Sequence, residues 1–431
     1  MKKQIVLGMI LTSLAPAQTS VPQTGPAHAY VGAGGCTSSN CHGGTTQLDE
    51  AQSRIYGNEY ATWFTVDKHA LAFQMLGSPR SKRMAELLGI TDAAASPRCT
   101  VCHAVGSPQK SLSDGVACEA CHGPASDWLG SHFQVKRDSP NDLKRVHADS
   151  VNRGMTDTKD LDVRARTCLA CHLGEGSQLM DHEFIAAGHP DLAFELVTFS
   201  IGQPAHHRPP KPTAGNTLPQ VRAWAVGQSR ALAEGMRLLA LHAANRWPEF
   251  SDLECYQCHH DLRLDSWRIG RGYDGRKAGS LQVNLARFDI LRSLVEVAAP
   301  GRASELNSEM SRLADVVSKR FTDGAAIAEA AKAVLKTADR LTSEQFASQD
   351  FNELIVRRII LAIDRDIQRI ADSGVNSAEQ ATMSLDALAS ALSPQGKTRQ
   401  EAIDELYNYL EHPSVYQPAE FMARFRKAAA L

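Results

Sequence analysis

In the last third of the chain, apolar residues return at the three- and four-residue spacing that stacks side chains on one face of a helix. Leu281, Leu285, Phe288 and Val295 form one stripe, Leu306, Met310, Leu313 and Val317 a second, and Ile359, Ile363, Ile367 and Ile370 a third. Thr398 and Glu401 stand in capping-box register before a helix bearing Ile403, Leu406 and Leu410. These stripes predict six or seven helices packed as an α-helical bundle over residues 266–431. Upstream, over residues 30–265, a helical pattern runs from Trp224 to Leu241, and a short amphipathic helix is expected around WFTVDKHALAF. Elsewhere in that stretch Gly, Pro and Ser interrupt the apolar clusters, which predicts short helices joined by long loops. At the start, Lys2 and Lys3 precede an apolar run from Ile5 to Leu14 and the small residues Ala15 and Ala17, the pattern of a secretory signal peptide. Cleavage is expected after Ala17 or after Ala29, so that residues 1–29 are leader and linker.

Composition narrows the class. The 431 residues are 43% hydrophobic and 22% charged, which suits two or three globular domains and excludes a disordered or collagen-like chain. A formal charge of −2 without runs of like charge provides no field for a nucleic acid backbone. Beyond the N-terminus no run of eighteen apolar residues occurs, so no transmembrane span is expected in the mature chain.

The ten cysteines carry the chemistry. An exported chain would ordinarily pair them as disulfides, but here each close pair is followed immediately by histidine, which disulfides do not need. Cys99-Thr-Val-Cys102-His103, Cys118-Glu-Ala-Cys121-His122, Cys168-Leu-Ala-Cys171-His172 and Cys255-Tyr-Gln-Cys258-His259 share the C-x-x-C-H spacing of covalent haem c attachment. Cys36-Thr-Ser-Ser-Asn-Cys41-His42 is a wider fifth copy, whose four intervening residues must loop outward, with Gly43 and Gly44 giving the backbone freedom. Two thiols so spaced reach both vinyl groups of one porphyrin, and the adjacent imidazole lies under the iron as proximal ligand. The expectation is five haem c groups with proximal His42, His103, His122, His172 and His259. Four haems, or zinc held by paired cysteines, are the alternatives. The motifs allow roughly 45 residues per haem, too few for separate domains, so the porphyrins must share walls.

The stretches YVGAGGCTSSNCHGG, CEACHGPASDWLGSH, DHEFIAAGHPDLAFEL and CYQCHHDL resemble the multihaem cytochrome c family typified by cytochrome c-554. The resemblance implies a mainly α fold with a haem-filled core, periplasmic electron transfer through closely packed haems, and mostly bis-histidine iron. Some relatives carry an open haem and act on small nitrogen or sulfur compounds. A fifth haem and the wide first anchor depart from the tetrahaem pattern.

Candidate distal ligands follow from position. His69 lies in the amphipathic helix and resembles the family's early distal histidine. His132 is ten residues beyond His122, about 15 Å along a helix, so it is expected to serve a different haem. His147 is a further candidate. His182 and His189 are seven apart, with Gly188 and Pro190 marking a helix stop. His206 and His207, among Pro204, Pro209, Pro210 and Pro212, are expected in an extended loop over a haem edge, while His242, His260 and His412 rank lower. The expected function is therefore electron relay between periplasmic or membrane-bound redox proteins. The alternative is a multihaem oxidoreductase with one open haem; the C-terminal helices could also support oligomerisation.

Overall fold

The computed structural model describes residues 28–430, apart from 51, 52, 54, 106–108, 135–139, 177–179, 261, 272–276, 278 and 393–396. The signal-peptide pattern falls on residues outside that range. The chain is mainly α; among the described residues extended pairing is confined to the isolated bridges Thr213 with Asn216 and Leu253 with Val283.

The bundle is built from α1 (Pro219–Asn245), α2 (Ala286–Ala298), α3 (Pro300–Lys319), α4 (Gly324–Arg340), α5 (Glu353–Arg365), α6 (Ile367–Asp372), α7 (Val375–Leu392), α8 (Lys397–Leu410) and α9 (Pro418–Ala430). The second stripe behaves as its spacing demands: Leu306, Met310, Leu313 and Val317 are all buried along α3. The first is partly displaced, because α2 begins only at Ala286, whose N–H is accepted by the Asn284 side chain, and Leu281 and Leu285 lie ahead of it. The isoleucine stripe is buried throughout yet divided between two helices, with a break at Asp366. Thr398 falls within the first turn of α8, which starts at Lys397. Elsewhere caps are conventional: Asp323 accepts from Ala326 N and Asn352 from Ile355 N.

The bundle does not begin at residue 266. Helix α1, twenty-seven residues long, packs along α4 and also against α2 and α7. Trp224, Ala225 and Ala233 of α1 are fully buried in the same core as Phe346, Phe421 and Phe425. Gly227 lets the helix Leu196–Gly202 approach, since a Cβ there would meet the Leu196 side chain at 2.7 Å. Arg230, only 1% exposed, joins three pieces of chain through Asp162 on the helix Leu161–Leu169, Glu234 on α1 and Asp339 on α4. The cysteine-bearing region therefore rests on α1 through the buried Arg230 guanidinium, which needs its carboxylate partners to offset its desolvation.

Candidate functional site

Four of the five motif histidines are set by a short turn of helix. Pro97–His103 and Cys118–His122 are helices that end on their motif histidines, and Ala170–Gly174 is a π-turn carrying Cys171 and His172. A helical turn places both cysteines on one face and the histidine just beyond, the geometry a single porphyrin requires. Cys255–Gln257 is a 3-10 turn, and His259 N donates to Cys255 O at 2.9 Å. The wide first motif closes differently: Cys41 N and Gly43 N both donate to Ser38 O, at 2.8 and 3.0 Å. A Cβ on Gly43 would lie 1.8 Å from Thr37 O, so only glycine permits this loop to fold back on itself. All ten cysteines are unbridged.

Four motif histidines face a second histidine. The ring centroids of His42 and His132 are 6.5 Å apart and nearly parallel. His172 and His69 stand at 6.2 Å, His103 and His189 at 6.4 Å, and His259 and His182 at 6.1 Å. Imidazole nitrogens bind a first-row metal at about 2 Å, so two rings gripping one ion from opposite sides hold their centroids about 6–6.5 Å apart. These four pairs thus fit a six-coordinate iron. Among the described residues no three His, Cys, Asp or Glu side chains converge as a closed zinc site requires.

In five of the eight paired rings Nδ1 is held by a hydrogen bond. His103 Nδ1 donates to Ala72 O, His132 Nδ1 to Leu129 O and His189 Nδ1 to Pro190 O, at 2.8–2.9 Å. His42 Nδ1 instead meets Glu59 Oε2 at 3.1 Å, and His69 Nδ1 meets Asp67 Oδ1 at 2.9 Å. Each bond holds its ring in place, and the Glu59 carboxylate raises the proton affinity of His42. Glu59 is itself held by Tyr56 N and Gly57 N, and the His69 backbone N–H also donates to Asp67. Neither acid was singled out by the motifs; for Asp67, its position two residues before His69 was the available signal. Glu119, inside the third motif and 2% exposed, accepts from Val31 N, Gly32 N and Ala125 N, tying YVGAGG to CEACH.

The remaining candidates are placed elsewhere. His147 is not brought to a motif histidine: its Nε2 meets Asp157 at 3.1 Å and its Nδ1 faces Lys159 at 3.5 Å, which occupies both nitrogens. His242 is buried in α1 with Nδ1 on Asp252 at 2.7 Å. His122, the third motif histidine, has no facing histidine among the described ring contacts; burial holds it down to about 4, and His206 is the largest of the neighbouring charges that add to this.

Contacts between motifs give a spatial order. The thiol of Cys36 lies beside that of Cys118, joining the first motif to the third. Cys121 lies in the fields of Cys171 and Cys168, joining third to fourth, and Cys102 bonds Cys171, joining fourth to second. The second and fifth meet through a single segment, because His182 and His189 face different motifs across the turn at Gly188. Arg98 braces that segment, lying over the Phe184 ring at 4.6 Å and within 4 Å of Asp181 and Glu183. No helix among the described residues is long and apolar enough to cross a membrane.

Residues 36–123, which hold the first three motifs, match the family described as cytochrome c554 and c-prime. No curated protein and no solved structure matches the chain. The family implies covalently bound haem c with iron, and a role in electron transfer.

Proposed function

We propose that this c-type cytochrome carries five covalent haems, on the motifs ending at His42, His103, His122, His172 and His259, and relays electrons between redox proteins in the periplasm. The observation that carries the reading is the set of four histidine pairs at 6.1–6.5 Å, each formed by one motif histidine and one distant in sequence. When bound, haem iron supplies one-electron chemistry at potentials set by its ligands and their hydrogen bonds. The chain contributes two thiols per motif as anchors, His132, His189, His69 and His182 as distal ligands, and bonds at Nδ1 that hold His132, His189 and His69 in place. The contacts between anchors support a relay running first, third, fourth, second, fifth, which is not the order of the chain. An oxidoreductase with one open haem has a single observation in its favour, the absence of a facing ring contact at His122 among the described residues.

The test is the intact mass of the purified mature protein, in which each haem adds a fixed increment. Five increments are expected, together with an N-terminus after Ala17 or Ala29. Four increments would remove the wide first motif as an anchor, and none would return the cysteine pairs to zinc.

A further inference from the structure

The loop between Pro204 and Pro212 is joined to the first motif by an unbroken series of contacts. Four prolines within nine residues stiffen it. From its middle, Arg208 reaches across to the segment that follows the Cys36–His42 anchor. One terminal nitrogen, Nη2, donates to Leu48 O at 2.8 Å, to Ser53 O at 3.0 Å and more weakly to Ile55 O at 3.4 Å. The guanidinium also lies over the Tyr56 ring, 4.6 Å from its centroid. Lys211 adds a pairing with Glu50 at 2.8 Å, on the surface, where an ion pair contributes little.

What Arg208 gathers is the turn that presents Glu59. Leu48 N donates to Tyr56 O at 2.7 Å, closing the segment on itself. Gly57, at a φ of 78°, lies against Leu48, for a Cβ there would stand 2.9 Å from that side chain. The backbone N–H groups of Tyr56 and Gly57 both donate to Glu59 Oε1, at 2.6 and 3.1 Å. With that oxygen held, the carboxylate places Oε2 against His42 Nδ1 at 3.1 Å. The same turn is bonded to the anchor directly: Gly44 N donates to Gly57 O at 2.7 Å, and Tyr60 N to His42 O at 2.9 Å.

We infer that Arg208 is a positioning residue for the first haem. By clasping Leu48, Ser53, Ile55 and Tyr56 it fixes the pair of N–H groups that aims Glu59 at His42, from a loop 160 residues beyond Leu48. The inference rests on the reading of Cys36–His42 as a haem anchor. An imidazole that gives its Nδ1–H to a carboxylate favours ferric over ferrous iron, so the clasp holds the potential of this haem down. In the relay order proposed above the first haem is an end, and its potential sets the driving force for exchange with a partner.

Deleting Arg208 has two effects of opposite sign. Loss of a positive charge near the surface stabilises ferric iron and lowers the potential, but solvent and salt screen that charge. Release of Glu59 from His42 removes a bonded carboxylate and raises the potential. The direct bond outweighs the screened charge, so the net shift is upward.

The experiment uses the holoprotein. Intact mass counts haems first: fewer than five condemns the anchor reading, whereas five haems with unmoved potentials condemn the role of Arg208 alone. In a spectroscopic redox titration, Arg208→Ala should move one haem upward, its one-electron equilibrium shifted about threefold or more toward ferrous, or about 30 mV at about 59 mV per tenfold change. Glu59→Gln should move the same step upward by at least as much. In the double variant the two shifts should not add, because Arg208 acts through Glu59. Tyr56→Leu loosens the clasp from its other side while keeping both backbone N–H groups, so it should raise the same step and keeps the inference testable if Arg208→Ala folds poorly. Potentials unchanged or lowered in a folded Arg208→Ala protein, potentials unchanged in a folded Tyr56→Leu protein, or shifts that add in full in the double variant, would each overturn the inference.

Discussion

Two of the paired imidazoles differ from their neighbours by a single bond. His42 and His69 donate Nδ1–H to carboxylates, while His103, His132 and His189 donate to backbone carbonyls. A carboxylate draws the ring toward imidazolate and favours ferric over ferrous iron. The Asp67→Asn variant should therefore raise the midpoint potential of one haem, by about 30–60 mV given that a tenfold change in a one-electron equilibrium is 59 mV. A spectroscopic redox titration measures it. An unchanged titration curve would mean that Asp67, which is 4% exposed and also bonded to Gln203, serves packing alone.

At the scale of elements, α1 decides what can fold alone. A fragment of residues 266–431 would lack the helix that packs along α4 and would leave the core that holds Val334 of α4 cut open. Residues 218–430 should melt cooperatively by circular dichroism while 266–430 should not, and equal cooperativity of the two would make α1 dispensable to the core. The sequence made α3 and the isoleucine stripe legible because helical spacing is local and each apolar residue reports its own face. It made the anchors legible because a haem attachment motif spans five residues, or seven in the wide copy. Membership of α1 in the bundle was not legible, since a helix buried on most sides has the same periodicity wherever it docks. Nor was the pairing of His132 with His42 or of His182 with His259, because adjacency across the fold leaves no mark at either site. The surroundings of His147 were hidden for the same reason: its position allowed ligation, and its contacts with Asp157 and Lys159 were invisible until the chain was folded.

For the molecule as a whole, the bundle reaches the redox centre through Glu379 of α7. Burial, with a contribution from Asp191, pushes this carboxyl from its ordinary 4.5 up to about 7, and Cys255 of the fifth motif feels both acids. Above pH 7 the carboxyl ionises, so the potential of the fifth haem should fall as pH rises through about 7 and Glu379→Gln should flatten that slope. Protein-film voltammetry across pH 5–9 checks it, and an identical slope in the variant would exclude Glu379 as the source. Stability moves in the same direction. The unfolded carboxyl loses its proton near 4.5 while the native one keeps it to about 7, so stability falls as pH climbs across that window. The four histidine pairs also set a timetable for the newborn chain. They join residues 42 to 132, 69 to 172, 103 to 189 and 182 to 259, and each span opens before the preceding one has closed. As the chain emerges from its N-terminus, His42 must wait for ninety more residues, and the series is completed only when His259 has emerged. Contacts so distant in sequence form slowly. The enzymes that stitch haem to thiols would therefore meet the first two anchors open and half-liganded, because His132 and His189 emerge only after the motifs they face.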